Sequence, residues 1–436
     1  MARITRRTFL QYSGATGMAG ILASHRAPVF AQANTVHILR WNDFVPAADK
    51  VLREVFAPEV QKALGIKLNV ETVNANDIPA RATSSIQSGN GPDIIMLLNN
   101  YPHLYASSAV DVSAVADEVA KAQGGIYDAN AQLNRVGGKW VAMPWSVVPV
   151  CIAYRKSWFE EVGAKSFPKT WTEYQAVGKK LKAAKRPIGQ TLGNTFGDAP
   201  TFTYPFLWSF GGQEVDAKGK VTLNSKATIE SVKFMVQFWK DACDEGGLAW
   251  DDSNNNRSFL SGDISATLNG ASIYVAALNG ADKFKTEKGA PLHTDILHAP
   301  LPAGPNGSHN YHTAHNHMVM KYSKNQKGAI EFLRWAHRKE NLEKWLVVQK
   351  GYAVGTTRSW EKHPMWKESG PVMAPFKVAA AGQSRLMGHA GEPNGKAAEA
   401  WNKFIVTVMY AQACSGKMTP EESVKWAAGE LGKIYT

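Results

Sequence analysis

Apolar and polar positions change period several times along this chain, and the changes mark its elements. Val36–Trp41 reads as a short strand. Between Ala47 and Lys62 the apolar positions fall at helical spacing through Val51, Val55 and on to Leu64, and Gly65 closes the run. Ile66–Val73 alternates as a strand, and Ile78–Ser88 is a short helix. The apolar run Asp93–Leu98 suits a strand buried on both faces. Strand, helix, strand, helix, strand at this spacing predicts a doubly wound α/β lobe.

Lys139–Tyr154 breaks that rhythm. It is long and apolar, and Pro144 and Pro149 forbid a helix, so it reads as an extended crossover between two α/β regions. Beyond it, Thr170-x-x-Glu173 is a capping box that opens a helix carrying Trp171, Tyr174, Val177 and Leu181. Ser225–Cys243 sets Ile229, Val232, Val236, Trp239 and Cys243 on one stripe. Short strands follow at Ile264–Leu268 and Thr294–Ala299, then the turn-rich junction Pro300 to Gly307. Strand returns at Met318–Tyr322 and helix at Lys327–His337. Thr419-Pro420-Glu421-Glu422 opens a last helix. The resumptions predict two lobes built from discontinuous segments, residues 34–146 with 305–355 and residues 147–304 with 356–436.

Composition narrows the class. The 436 residues are 44% hydrophobic and 20% charged, too apolar for a disordered chain. The longest apolar candidate for a membrane span, Val141–Tyr154, is cut by its two prolines. The first residues carry Arg6-Arg7-Thr8-Phe9-Leu10, a mild apolar stretch Gly14–Ala23 and Ala31-Gln32-Ala33. A cationic start, an apolar middle and an A-x-A end make a removable export signal, residues 1–33, and the arginine pair resembles the twin-arginine type. Removing it takes away four arginines and lowers the net charge from +12 to +8. The basic residues are scattered, as on a solvated surface. No Cys near the cleavage point offers a lipid anchor, so the expected location is the periplasm. Cys151, Cys243 and Cys414 have no metal or redox spacing.

Candidate chemistry is sparse. Phosphate loop, dinucleotide fingerprint, zinc-protease and nucleophile-elbow motifs are all missing, as are nucleic-acid modules. Four histidines, His309, His312, His315 and His317, lie within nine residues, and His315 and His317 would share one strand face. That arrangement suits a metal receptor, or equally a polar strand whose imidazoles bond backbone or ligand; no Cys or acid between Pro300 and Lys321 completes a metal site. A carbohydrate-active enzyme would need two carboxylates about 5–9.5 Å apart across a cleft. Asp251, Asp252 and Asp263 qualify by composition only. No catalytic residue, metal or cofactor is therefore assigned.

A set of short motifs in fixed order carries a resemblance. They are Gly91-Pro92-Asp93-Ile94-Ile95, Ala142-Met143-Pro144-Trp145 with Tyr154-Arg155-Lys156, and Lys169-Thr170-Trp171-Thr172-Glu173. Then come Trp208-Ser209-Phe210-Gly211-Gly212, Phe259 through Gly270, Tyr322-Ser323-Lys324-Asn325, and Gly416-x-Met418-Thr419-Pro420-Glu421-Glu422. In this order they resemble the family 1 extracellular solute-binding proteins, the sugar receptors of ABC importers that include maltose-binding protein. The resemblance implies a two-lobed type II binding fold with a cleft between hinged lobes. It also implies a monomer that takes a small-molecule ligand, a sugar, oligosaccharide or polyol, and docks on an ABC permease with its ATPase. This sequence departs from the family at His312–His317, where Gly-Gly is common. It has Asn99-Asn100 where maltose binders carry an acid, and Ala271-Ser272 where Trp often follows the Asn-Gly turn.

In such a fold the ligand sits at the carboxyl ends of strands, between the lobes. Aromatic faces stack on sugar C–H groups, and amides both donate and accept to hydroxyls. The residues expected there are Trp41, Asn42 and Asp43 after the first strand, Asn99 and Asn100 after the third, Trp145 on the crossover and Trp208. Asn269 and Gly270, His315, Tyr352 and Arg385 complete the set.

Overall fold

The computed structural model describes residues 34–368, 370–381 and 384–436, without the side chains of Glu368, Ala379 and Ala381. Residues 1–33, read above as an export signal, lie outside the described residues. Eight main strands appear in chain order: β1 (Thr35–Trp41), β2 (Lys67–Val73), β3 (Ile94–Leu98), β4 (Met143–Val147), β5 (Cys151–Arg155), β6 (Ala266–Asn269), β7 (Ile296–Ala299) and β8 (Ala314–Val319). They form two sheets, β2-β1-β3-β8-β4 and β6-β5-β7. In the first, β1 pairs parallel with β2 and β3, and β8 runs antiparallel between β3 and β4. In the second, both pairs are antiparallel.

The residues between β4 and β5 carry the chain from one sheet to the other, because Val148 to Val150 leave the first ladder before Cys151 joins the second. The chain crosses back between β7 and β8. A later return pairs Val354 with Val147 through reciprocal backbone bonds of 2.9 Å, so two of the crossovers are laced together. Helices Gln326–Ala336 and Ser113–Ala122 pack in the first lobe. Asp198–Ser209, Lys226–Ala242, Ile405–Cys414 and Pro420–Ile434 pack against one another in the second.

Local chemistry explains several element ends. Thr170 and Thr419 each take the backbone N–H of the glutamate three residues on, and each glutamate reaches back, completing both capping boxes. Gly65, at φ +66°, ends the first helical stretch in the left-handed conformation that favours glycine. That stretch runs Pro46–Lys50, then a π segment Val51–Phe56, then Ala57–Leu64.

Two expectations are corrected. The returning strand is Ala314–Val319 rather than Met318–Tyr322. Its His315-Asn316-His317 looks too polar for a central strand, yet all three are buried because each has a specific partner. Asn316 donates to Asn99 O and accepts from Asn134, at 2.8 Å each. His315 meets Ser146 Oγ at 3.0 Å, and His317 meets Arg40 at 3.3 Å. The helix Asp198–Ser209 has no counterpart in the sequence reading. It contains Pro200 and Pro205 and is buried on every face, so it shows no amphipathic period.

Burial also sets a pH dependence. Glu214 is fully buried and accepts the Tyr204 hydroxyl at 2.7 Å; desolvation pushes its carboxyl up to about 7. The unfolded carboxyl titrates near 4.5. The folded form thus holds the proton more tightly, and the resulting stability is complete below the unfolded value and lost as pH rises through about 7. Relative to Glu214→Gln, the wild type should lose about 3 kcal/mol between about pH 4 and pH 8, read from urea unfolding of both proteins. A difference independent of pH would contradict this reading.

Candidate functional site

Strand ends from both sheets converge on a cleft. β1 ends at Trp41 and β6 at Asn269-Gly270, and these residues line one small cavity with Tyr352, Asp198 and Asp252. That cavity measures about 30 Å³, room for one or two waters. A second cavity of about 260 Å³ holds Asn42 and Asp43 and shares Phe44 and Asp252 with the first. A third, about 790 Å³, is lined by Arg385, His389, Tyr127 and Gln132. His312 lines this large cavity and the next residue, Thr313, the small one, so the two adjoin along the chain entering β8.

Several expected residues meet here. Trp41 is nearly buried, its ring edge-on to His315 at 4.4 Å and to Phe44 at 5.5 Å. Asn269 donates to Asn256 Oδ1 and accepts from Ser272 Oγ, which holds its amide in place. Gly270 has no room for a side chain, since a Cβ there would lie 2.7 Å from the Tyr352 ring. Asp43 accepts from Val45 N and Gln349, and burial raises its carboxyl to about 6 against the pull of Arg40.

Other expected residues lie elsewhere. Trp145 is fully buried and lines none of these cavities; it packs on His317, His337 and Trp345 in the core of the first lobe. Asn99 is also buried, at φ +46°, with its Oδ1 taking Ala314 N at 2.9 Å, so its amide shapes the turn after β3. Asn100 is buried and donates to Asn394 O at 3.4 Å. His315 stands behind Trp41. Trp208 is fully buried, stacked near Tyr311 at 6.3 Å and lying under the Arg385 guanidinium at 5.9 Å.

Asp198 was not singled out from the sequence. It is the first residue of the proline-bearing helix, and no spacing marks it. Asp252 accepts from Gly197 N and Asp198 N, at 3.0 and 2.8 Å, which caps that helix. Asn255 donates to Asp198 at 2.6 Å; burial and the nearby Asp252 charge push the Asp198 carboxyl strongly up. These bonds give the acid pair a structural task at the cleft wall.

The clustered histidines have separate partners: His309 meets Asn306 O, His312 meets Asn130, and His315 and His317 bond as above. Among the described residues no group of three or more His, Cys, Asp or Glu could hold a metal ion. All three cysteines are unpaired. No described helix is long and apolar enough to cross a membrane.

Comparison with known proteins places this architecture. Residues 45–343 match the family model described as bacterial extracellular solute-binding protein. A Deinococcus radiodurans protein described as a probable ABC transporter-binding protein is 23% identical over 351 residues, covering 78% of this chain and 80% of its own. The fold is similar to a maltose-bound protein of T. maritima, with TM-score 0.76 and 20% identity over 92% of this chain and 99% of the other. It is also similar to an ABC transporter solute-binding protein of Agrobacterium radiobacter in complex with ribitol, with TM-score 0.75 and 19% identity over 92% and 98%. With matching two-lobed architecture and a family model spanning more than half of its length, the chain belongs to the bacterial extracellular solute-binding proteins.

Proposed function

We propose that this protein is the exported solute receptor of an ABC importer, capturing a sugar or polyol between its lobes. It works as a periplasmic monomer and performs no chemistry on the ligand. The observation that carries the reading is the convergence of Trp41, Asn269, Gly270 and Tyr352, from two sheets and a crossover, on one interlobe cavity. Aromatic faces and fixed amides are what a ring bearing hydroxyls requires. Solved relatives in fold hold maltose and ribitol, which supports the same ligand class here.

The Trp41 cavity is too small for a sugar, so ligand enters there only when the lobes part. Rejoining around the ligand adds contacts that the open form lacks, and closure follows from that difference. The closed form is then recognised by a permease and its ATPase. Gly270→Ala tests the site. The added methyl must push the Tyr352 ring aside, so affinity for the bound sugar or polyol should fall about tenfold or more, with a stability cost of about 1–3 kcal/mol. Calorimetric titration and urea unfolding read the two effects. Unchanged affinity in a folded variant would place the ligand away from Tyr352.

A further inference from the structure

The cavity of about 790 Å³ beside Arg385 has a charge character that the sugar reading does not use. Its lining joins Tyr127 and Gln132 to Arg358, whose backbone N–H donates to Gly125 O, and to Arg385 and His389. Arg385 is half-buried and rests over the Trp208 ring at 5.9 Å. Burial disfavours its charge, and no carboxylate among the described residues offsets that cost. Arg358 is exposed, 6.0 Å from the Tyr127 ring centre, and among the described residues it pairs only loosely, with Glu361 at 3.9 Å. Asp128, at the first turn of Asp128–Asn134, is the lone carboxylate among the lining residues, and it is exposed. Burial and the field of Arg385 depress His389 to about 4 and also lower His309, so neither ring adds a cation readily beside the guanidinium.

A guanidinium without an acid partner in a cavity of this size is a prepared anion site. Its planar fork matches carboxylate or phosphate oxygens bidentately, and the stacked indole beneath it reduces the ordering cost of pairing. The volume of about 790 Å³ falls in the range of small-molecule sites. We propose that this cavity receives an anionic group of the solute, a carboxylate or a phosphate, and that Arg385 pairs with it. The solute is then an acidic or phosphorylated sugar, a conclusion that rests on the sugar reading above.

The test is calorimetric titration of the full chain with D-glucuronate, D-glucose 6-phosphate, D-glucose, ribitol, succinate and inorganic phosphate. An acidic or phosphorylated sugar should bind about 10–100-fold more tightly than glucose or ribitol. Arg385→Gln should lose that margin at an unchanged thermal midpoint, and Arg385→Lys should recover part of it. The proposal is overturned if neutral members bind as well as the acidic ones, if no anion binds, or if Arg385→Gln leaves anion affinity unchanged. Tight binding of glucose or ribitol with refusal of the anions defeats this proposal and leaves the sugar reading standing. Binding of succinate or phosphate alone, lost in Arg385→Gln, keeps the anion site and defeats the sugar reading.

Discussion

Trp145→Ala should lower the unfolding free energy by about 3–5 kcal/mol and leave solute affinity unchanged in the protein that remains folded. The indole has no solvent exposure, and its ring meets His317 at 4.5 Å, His337 at 5.3 Å and Trp345 at 5.5 Å. Its removal leaves a void that these partners, themselves buried, cannot close. Arg40 adds to the cost. This buried guanidinium sits 5.2 Å from the rings of both Trp145 and Trp345, and its bond to His317 is long at 3.3 Å. Deleting one ring removes half of the aromatic surface that supports a buried cation. Urea unfolding gives the stability and titration the affinity. A stable variant with weakened binding would return Trp145 to the ligand site.

Trp401→Ala should cost a similar ~3–5 kcal/mol and, in addition, part the lobes. Trp401 lies on Gly395–Asn402, which packs on the last helix of the second lobe. Its ring stacks on Tyr101, just after β3 of the first sheet, at 5.0 Å and 18°. Phe196 closes the cluster at 5.9 Å from Trp401 and 5.7 Å from Tyr101. The Tyr101 hydroxyl donates to Asn402 at 3.0 Å, beside the Asn100 contact with Asn394. These contacts join the lobes directly, so their loss shifts the balance toward the open form. X-ray scattering should show a larger radius of gyration for Trp401→Ala and a near-normal one for Trp401→Phe. Lost stability with unchanged dimensions would confine Trp401 to the packing of its own lobe.

The backbone plan was legible in the sequence where a period or a cap carried it. A short strand signal marked β1, alternation marked β2, the apolar run marked β3, and Thr170 and Thr419 announced their helices through capping boxes that the structure contains. Pro144 and Pro149 marked an extended passage, which became β4, β5 and the link between the sheets. Legibility failed where burial came from partners distant in sequence. The polar strand around Asn316 shows its central, buried place only once Asn99, 217 positions away, and Asn134 satisfy that amide. Helix Asp198–Ser209 is buried all round, so no polar face betrays its period.

The site was harder to read for the same reason. A tryptophan after a strand, such as Trp41, and one after a proline, such as Trp145, present the same local sequence signal. Which one faces a cavity depends on the second sheet and on Trp345, about two hundred residues beyond Trp145. Asn99 and Asn100 have the chemistry to bind hydroxyls. The turn after β3 takes Asn99 Oδ1 and Asn394 takes Asn100 Nδ2, while Asn99 Nδ2 and Asn100 Oδ1 are buried away from any cavity described above. Arg385 shows its unpartnered charge only once the cavity around it exists.

The central claim is capture of a sugar or polyol in the interlobe cleft, and thermal unfolding of the full chain tests it most directly. The midpoint is measured alone and with maltose, ribitol, tagatose, glucuronate and glucose 6-phosphate, with a set of free amino acids for contrast. Ligand that binds only the folded form stabilises it by about 2.7 kcal/mol at one hundred times its dissociation constant. The account predicts that at least one carbohydrate or polyol raises the midpoint by several degrees, and that Trp41→Ala reduces that rise. Stabilisation by amino acids with none from any carbohydrate or polyol would contradict it.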